Sequence, residues 1–195
     1  MRFGVFYELQ LPKPWDEQAE FRLINESIEQ VQLADRLGID HAWAVEHHFL
    51  DEYSHCSASD VFLTAVAAKT ENIRVGFGIR HVIPNYNHPA RTAESVAMLD
   101  LISAGRVEFG IGEGASRLEL HGFGIKAREK HDLALEAGDL EDAEAARAGW
   151  DPSRWSVDVA SRVLVLVEYA TKFDDEFARK FTDLCRTADV GESVA

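Results

Sequence analysis

The sequence predicts an α/β fold of the (β/α) TIM-barrel type, with parallel strands alternating with helices and truncated relative to a full eight-stranded barrel. Three observations predict it. Short runs rich in β-branched and aromatic residues alternate with longer runs whose apolar positions recur every three or four residues. That alternation is the pattern of βαβ units, which build parallel sheets with right-handed crossovers. The polar residues with chemical capability fall where the strand runs end, while the turn after the first strand, "ELQLPKPW", contains no glycine. A doubly wound sheet would carry its phosphate-binding glycine turn there; a barrel assembles its site from several strand ends.

Each element follows in order. "RFGVFY" (2–7) is a first strand, followed by a proline-punctuated loop. From Phe21 to Leu37, the residues Phe21, Ile24, Ile28, Val31, Ala34 and Leu37 form one helix face, and Gly38 marks its stop. "IDHAWAVE" (39–46) is the second strand, and "SASDVFLTAVAAKT" (57–70) an Ala-rich helix with Ser57, Ser59 or Asp60 as its cap. "IRVGFGI" (73–79) is the third strand. "HPARTAESVAMLDLIS" (88–103) is a helix opened by His88-Pro89 and closed before Gly105. "RVEFGIG" (106–112) is the fourth strand, with a helix starting near Ala127. We divide the chain into a barrel segment, 1–137, and a mostly helical tail, 138–195, packing on it. In the tail, "SRVLVLVEYA" (161–170) suits a buried strand or a covering helix, and Phe177, Phe181 and Leu184 recur at helical spacing.

Composition removes several function classes. With Lys and Arg totalling 20 against 34 Asp and Glu, the formal charge of −14 opposes binding to nucleic-acid phosphates and to anionic membranes. No apolar run approaches the ~20 residues of a membrane span. The N-terminus lacks a signal-peptide pattern, and the two cysteines, Cys56 and Cys185, are far apart. A soluble cytoplasmic protein with free thiols is expected.

The densest chemistry is "AVEHHFLDEYSHC" (44–56). It has three readings: a metal site, a proton-handling site, or a crowded polar loop. His41, Glu46, His47, His48, His55 and Cys56 are zinc-capable types, but neighbouring histidines on a strand splay apart. No CxxC, HxH or HExxH pattern accompanies them, so no metal is expected. Imidazole titrates near neutrality, which suits His47 to proton transfer. Gly76 and Gly78 inside the third strand mark either a close approach by a ligand or a tight packing corner. "FGIGEGAS" has neither GxGxxG spacing nor a P-loop lysine, though Ser116 has a hydroxyl to offer a ligand.

Together, "MRFGVFYELQLP", "LADRLGIDHAWAVEHHFLDEYSHCSA", "IRVGFGI", "PNYNHPARTAE", "LDLISAGRVEFGIGEG" and "HGFGI" resemble the bacterial luciferase-like monooxygenases from Met1 to about Ala137. The tail departs from that family. The resemblance implies a TIM barrel using reduced FMN, supplied by a separate flavin reductase, and O₂ on a small organic substrate such as an aldehyde. It implies His47 as the essential histidine. Glu46, Gly78, Ile79, His81 and Glu113 are then expected around the cofactor, with a non-prolyl cis peptide at Gly78-Ile79. Relatives often carry a basic or small residue at the position of Glu113, so its carboxylate is expected to oppose a flavin phosphate.

The rival expectation is a non-catalytic half-barrel that has lost productive flavin binding. In either case uncovered parallel edges, and the Ala-rich helix, favour a homodimer.

Overall fold

The computed structural model describes residues 2–134 and 137. Four parallel strands, β1 (Gly4–Tyr7), β2 (His41–Ala44), β3 (Arg74–His81) and β4 (Val107–Gly112), lie side by side in chain order. Helices α1 (Ala19–Arg36), α2 (Ser59–Ala67) and α3 (Pro89–Ser103) connect them. An order that never reverses has no topological switch point, which separates this sheet from a doubly wound one. It is the strand order of a barrel wall.

Strand alternation sorts the side chains. Ala42, Ala44, Val75, Phe77 and Val107 join Ile28, Val31, Ala34, Leu63, Val66, Val96 and Leu99 in the main core, under the helices. Burying one such Val, Leu or Phe side chain is worth ~1.5–3 kcal/mol. The opposite face carries Phe6 and Trp43, whose rings lie against Gly78 and Gly76 respectively. A Cβ on Gly76 would sit 2.3 Å from Trp43 Cε3, and one on Gly78 would sit 2.9 Å from Phe6 Cε2. Of the two readings of these glycines, close packing is therefore the one the contacts show. The β3–β4 register shifts between Phe77 and Arg80, and the Gly78–Ile79 peptide within that stretch is cis.

One end of the sheet is stapled by two side chains. Arg106 donates to the carbonyls of Ala67 (2.8 Å), Thr70 (3.0 Å), Ile73 (2.7 Å) and Ser103 (2.7 Å). Asp35, near the end of α1, accepts from the backbone N–H of Glu71 (2.8 Å), Asn72 (3.0 Å) and Ile73 (2.7 Å). At the other end a small second cluster of Ile83, Leu120 and Ile125, flanked by Tyr86 and Phe123, holds a further helix, α4 (Arg117–Gly122).

Several local expectations change. α2 starts after Ala58 with no side-chain cap: Ser59 is fully buried, and Asp60 turns to Arg80, 3.5 Å away. Ser116 caps α4, its Oγ accepting from Glu119 N at 3.3 Å, which gives that hydroxyl an internal partner. Helical backbone reappears at Lys130, slightly later than Ala127. The tail from 138 onward, including 161–170 and 174–185, lies outside the described residues.

Candidate functional site

The strands deliver their chemistry to one end. Glu8 follows β1, Glu46-His47-His48 follow β2, His81 is the last residue of β3, and Glu113 follows β4. α4 adds Glu119 from above. His47 Nε2 lies 3.6 Å from Glu8 Oε2, and His47 Nδ1 lies 3.1 Å from Glu119 Oε1. Glu119 Oε1 also accepts from the backbone N–H of His48 at 2.7 Å. Tyr53 presents its ring edge to His47, with centroids 5.3 Å apart, and hydrogen-bonds the Glu8 carboxylate.

Glu46 anchors the second layer. Its Oε1 accepts from His48 Nε2 (3.0 Å) and Asn87 Nδ2 (2.8 Å), and its Oε2 from His81 N (3.3 Å), with Arg80 Nη1 at 3.7 Å. Burial alone would push this carboxyl up. The bonds and charges of His48, Arg80, His81 and Asn87 outweigh it and hold Glu46 below the usual carboxylate range. Glu119 follows the same pattern: burial raises it, but His47 and His48 hold it low. Glu8 differs, because burial prevails over His47 and Tyr53 and its carboxyl is raised.

These partners fix the tautomers, since an ionised carboxylate or a carbonyl only accepts. His47 carries its proton on Nδ1 towards Glu119, and His48 carries one on Nε2 towards Glu46. His81 Nε2 donates to the carbonyl of Glu46 at 3.0 Å. Burial pushes the His81 imidazole down, so it stays neutral with a bare lone pair on Nδ1. Its ring stacks on Tyr86 at 4.2 Å.

Four buried polar atoms in this region have no hydrogen-bond partner: Glu8 Oε2, His81 Nδ1, Tyr86 Oη and Glu119 Oε2. Unpaired buried polar groups cost ~1–3 kcal/mol each and collect where a ligand or water belongs. The Gly114 backbone packs closely against two of them, since a Cβ there would lie 2.7 Å from His81 Cε1, 3.0 Å from His81 Nδ1 and 3.7 Å from Tyr86 Oη. His47, His81 and Glu119 each offer one ligand-type atom within 4.8 Å of the others. It shares only His47 with the residues weighed above for metal.

The expected site residues therefore divide. His47, His81 and Glu46 meet in one network, with Glu46 enclosed at 3% exposure. Gly78 and Ile79 sit in the strand below them. Glu113 turns to Lys130 (3.1 Å) and His131 (3.2 Å), so its charge is paired rather than bare towards the mouth. Glu119 escaped the sequence reading altogether. Its signal was "SRLE" (116–119), the S-x-x-E signature of a helix start.

Comparison with known proteins agrees with this architecture. The family described as "Luciferase-like monooxygenase" matches residues 1–150. A second family, "Metabolite traffic protein EboA", matches 113–195. The oxygenase component of the flavin-dependent trigonelline monooxygenase of Acinetobacter baylyi is 36% identical over 61% of this chain and 32% of its own length. Limonene 1,2-monooxygenase of Rhodococcus erythropolis is 32% identical over 71% and 34% respectively. The crystal structure of a Streptomyces bottropensis monooxygenase superposes with TM-score 0.64 at 31% identity, over 71% of this chain and 41% of that one. A Pseudomonas putida Baeyer-Villiger monooxygenase solved with FMN shares the fold, with TM-score 0.64 at 23% identity over 72% and 38%. The chain thus spans about a third of the length of these curated relatives. No helix among the described residues is long and apolar enough to cross a membrane. With its strand order, its strand-end histidine and carboxylate network, and the match over residues 1–150, the chain belongs to the luciferase-like monooxygenase family.

Proposed function

We propose that the chain acts in flavin-dependent monooxygenation, taking reduced FMN from a separate reductase and using O₂ on a small organic substrate such as an aldehyde. One observation carries the reading. His47 stands where three elements converge, with both ring nitrogens facing carboxylates, Glu119 and Glu8. A histidine so placed holds or releases a proton at a defined atom.

The described residues fit the ring end of a flavin. Glu8 Oε2, His81 Nδ1, Tyr86 Oη and Glu119 Oε2, buried and without hydrogen-bond partners, are polar atoms that a flavin ring could satisfy, and the Gly114 backbone packs against two of them. For a phosphate, the neighbouring cation is Lys130, which is engaged with Glu113 and the carbonyl of Gly114. Bound reduced flavin would supply the electrons and the activation of O₂. The chain's own task is to hold His47 in one tautomer, keep Glu46 and Glu119 ionised beneath it, and limit water through the aromatic wall of Phe49, Tyr86 and Phe123.

Exposed Val61, Met98, Leu101 and Ile102 on α2 and α3 support a homodimer through those helices. The free, buried thiol of Cys56 suits a reducing cytoplasm. The rival, a non-catalytic half-barrel, draws on the match of residues 113–195 to a differently described family. Titration of the purified chain with reduced FMN under anaerobic conditions separates them. Saturable binding followed by oxygenated product on admitting air is expected; no flavin uptake gives the rival its place.

A further inference from the structure

We infer that Glu119 is the positioning residue that fixes His47 with its proton on Nδ1, leaving Nε2 as the atom that exchanges a proton with Glu8. The exchange rests on the proton-handling role proposed above for His47; the tautomer does not.

The geometry supplies each step. Glu119 is fully enclosed, and its Oε1 is held by two donors, His47 Nδ1 at 3.1 Å and His48 N at 2.7 Å. The second donor is backbone, so the carboxylate is placed against the end of β2 and not only against a side chain that could swing away. α4 sets that position. Ser116 caps its first turn, Leu120 is buried with Ile83 and Ile125, and bare Gly122 lets Phe49 close in, where a Cβ would lie 2.3 Å from the ring. A carboxylate acceptor demands a proton on the nitrogen that faces it. With Nδ1 so committed, Nε2 is the ring atom left to gain or lose a proton, and it faces Glu8 Oε2 at 3.6 Å. That oxygen has no hydrogen-bond partner, so it is open to one. Passage of the proton from the Glu8 carboxyl to Nε2 leaves a carboxylate and an imidazolium flanked by Glu119, and no other reactant is needed. Tyr53 steadies both ends, its ring edge on His47 and its hydroxyl on Glu8.

The test is made on the ¹⁵N-labelled full chain without flavin, reading long-range ring correlations that distinguish protonated from bare histidine nitrogens. His47→Gln assigns the His47 signals. Read at a pH where the His47 ring is neutral, the wild type is expected to show a protonated Nδ1 and a bare Nε2, and Glu119→Ala to lose that fixed pattern while His48 keeps its own. A wild-type His47 with bare Nδ1 overturns the inference, whether or not any variant folds. So does a Glu119→Ala protein that retains the wild-type His47 pattern. Because no flavin is present, the result stands apart from success or failure of the flavin titration.

Discussion

The ring of Trp43 fills the space above Gly76, so close that a Cβ on the glycine would lie 2.3 Å from Trp43 Cε3 and 2.5 Å from Cζ3. The contact crosses directly between paired strands, since Trp43 is in register with Gly76. His41 stacks on the same indole, with centroids 5.9 Å apart, and limits where the ring can retreat.

Gly76→Ala is therefore expected to destabilise the chain by ~1–3 kcal/mol, the usual cost of overpacking an ordered site. Gly38→Ala provides a different comparison: nothing lies within 4 Å of its Cβ position, and only its positive φ of 78° opposes the change. Chemical denaturation of both variants checks this. A Gly76→Ala midpoint equal to wild type would show that Trp43 moves freely.

At the other end of the sheet, Arg106 makes its carbonyl bonds through both the Nε and Nη groups of one planar fork. Lysine keeps the charge but cannot span four carbonyls from one point. Arg106→Lys is expected to cost ~2–4 kcal/mol, since bonds from a charged donor contribute ~1.5–3 kcal/mol each and do not add fully. Equilibrium unfolding measures it, and a loss under ~1 kcal/mol would show that water replaces the fork.

Burial pushes the Cys56 thiol up to about 12, with Glu46, Glu8 and Asp60 adding in the same direction. The thiolate is the reactive form, so Cys56 should resist alkylation in the folded protein at pH 8. Peptide mapping after iodoacetamide, with and without denaturant, is expected to find Cys56 modified only when unfolded. Modification at native conditions would mean the loop after β2 opens.

The barrel wall was legible because hydrophobic periodicity marks it: all four strands and the three crossover helices fall within a few residues of where the patterns place them. The site was legible only at strand ends. His47 and His81 announce themselves by residue type and position, whereas Glu119 sits 72 residues from His47 on a six-residue helix whose docking depends on Leu120 and Ile125. No local pattern reports a tertiary contact of that kind. Glu113 shows the converse failure: its charge reads as repulsive in sequence, and Lys130 and His131 pair with it in space.

Glu46 ties the network to acid stability. Its folded carboxyl lies below the ordinary 4.5, because the lowering by His48, Arg80, His81 and Asn87 exceeds the rise from burial. A depressed acid contributes stability that is present above its unfolded value and is lost as pH falls through the folded one. Glu119 has the same sign, and Glu8, raised by burial, the opposite sign. Total stability against pH therefore mixes them, and a difference against Glu46→Gln separates the Glu46 share. At pH 7 the variant should be less stable by ~1–3 kcal/mol, because the amide retains the shape but not the charge that Arg80 and His48 face. That gap should narrow steadily below about pH 4.5, where Glu46 of the unfolded wild type takes up its proton before the folded one does. Urea unfolding of both proteins at several pH values between 7 and 3.5 reads the gap directly. A constant difference across the range would mean that Glu46 acts through packing alone, and a widening one would place its carboxyl above the ordinary range.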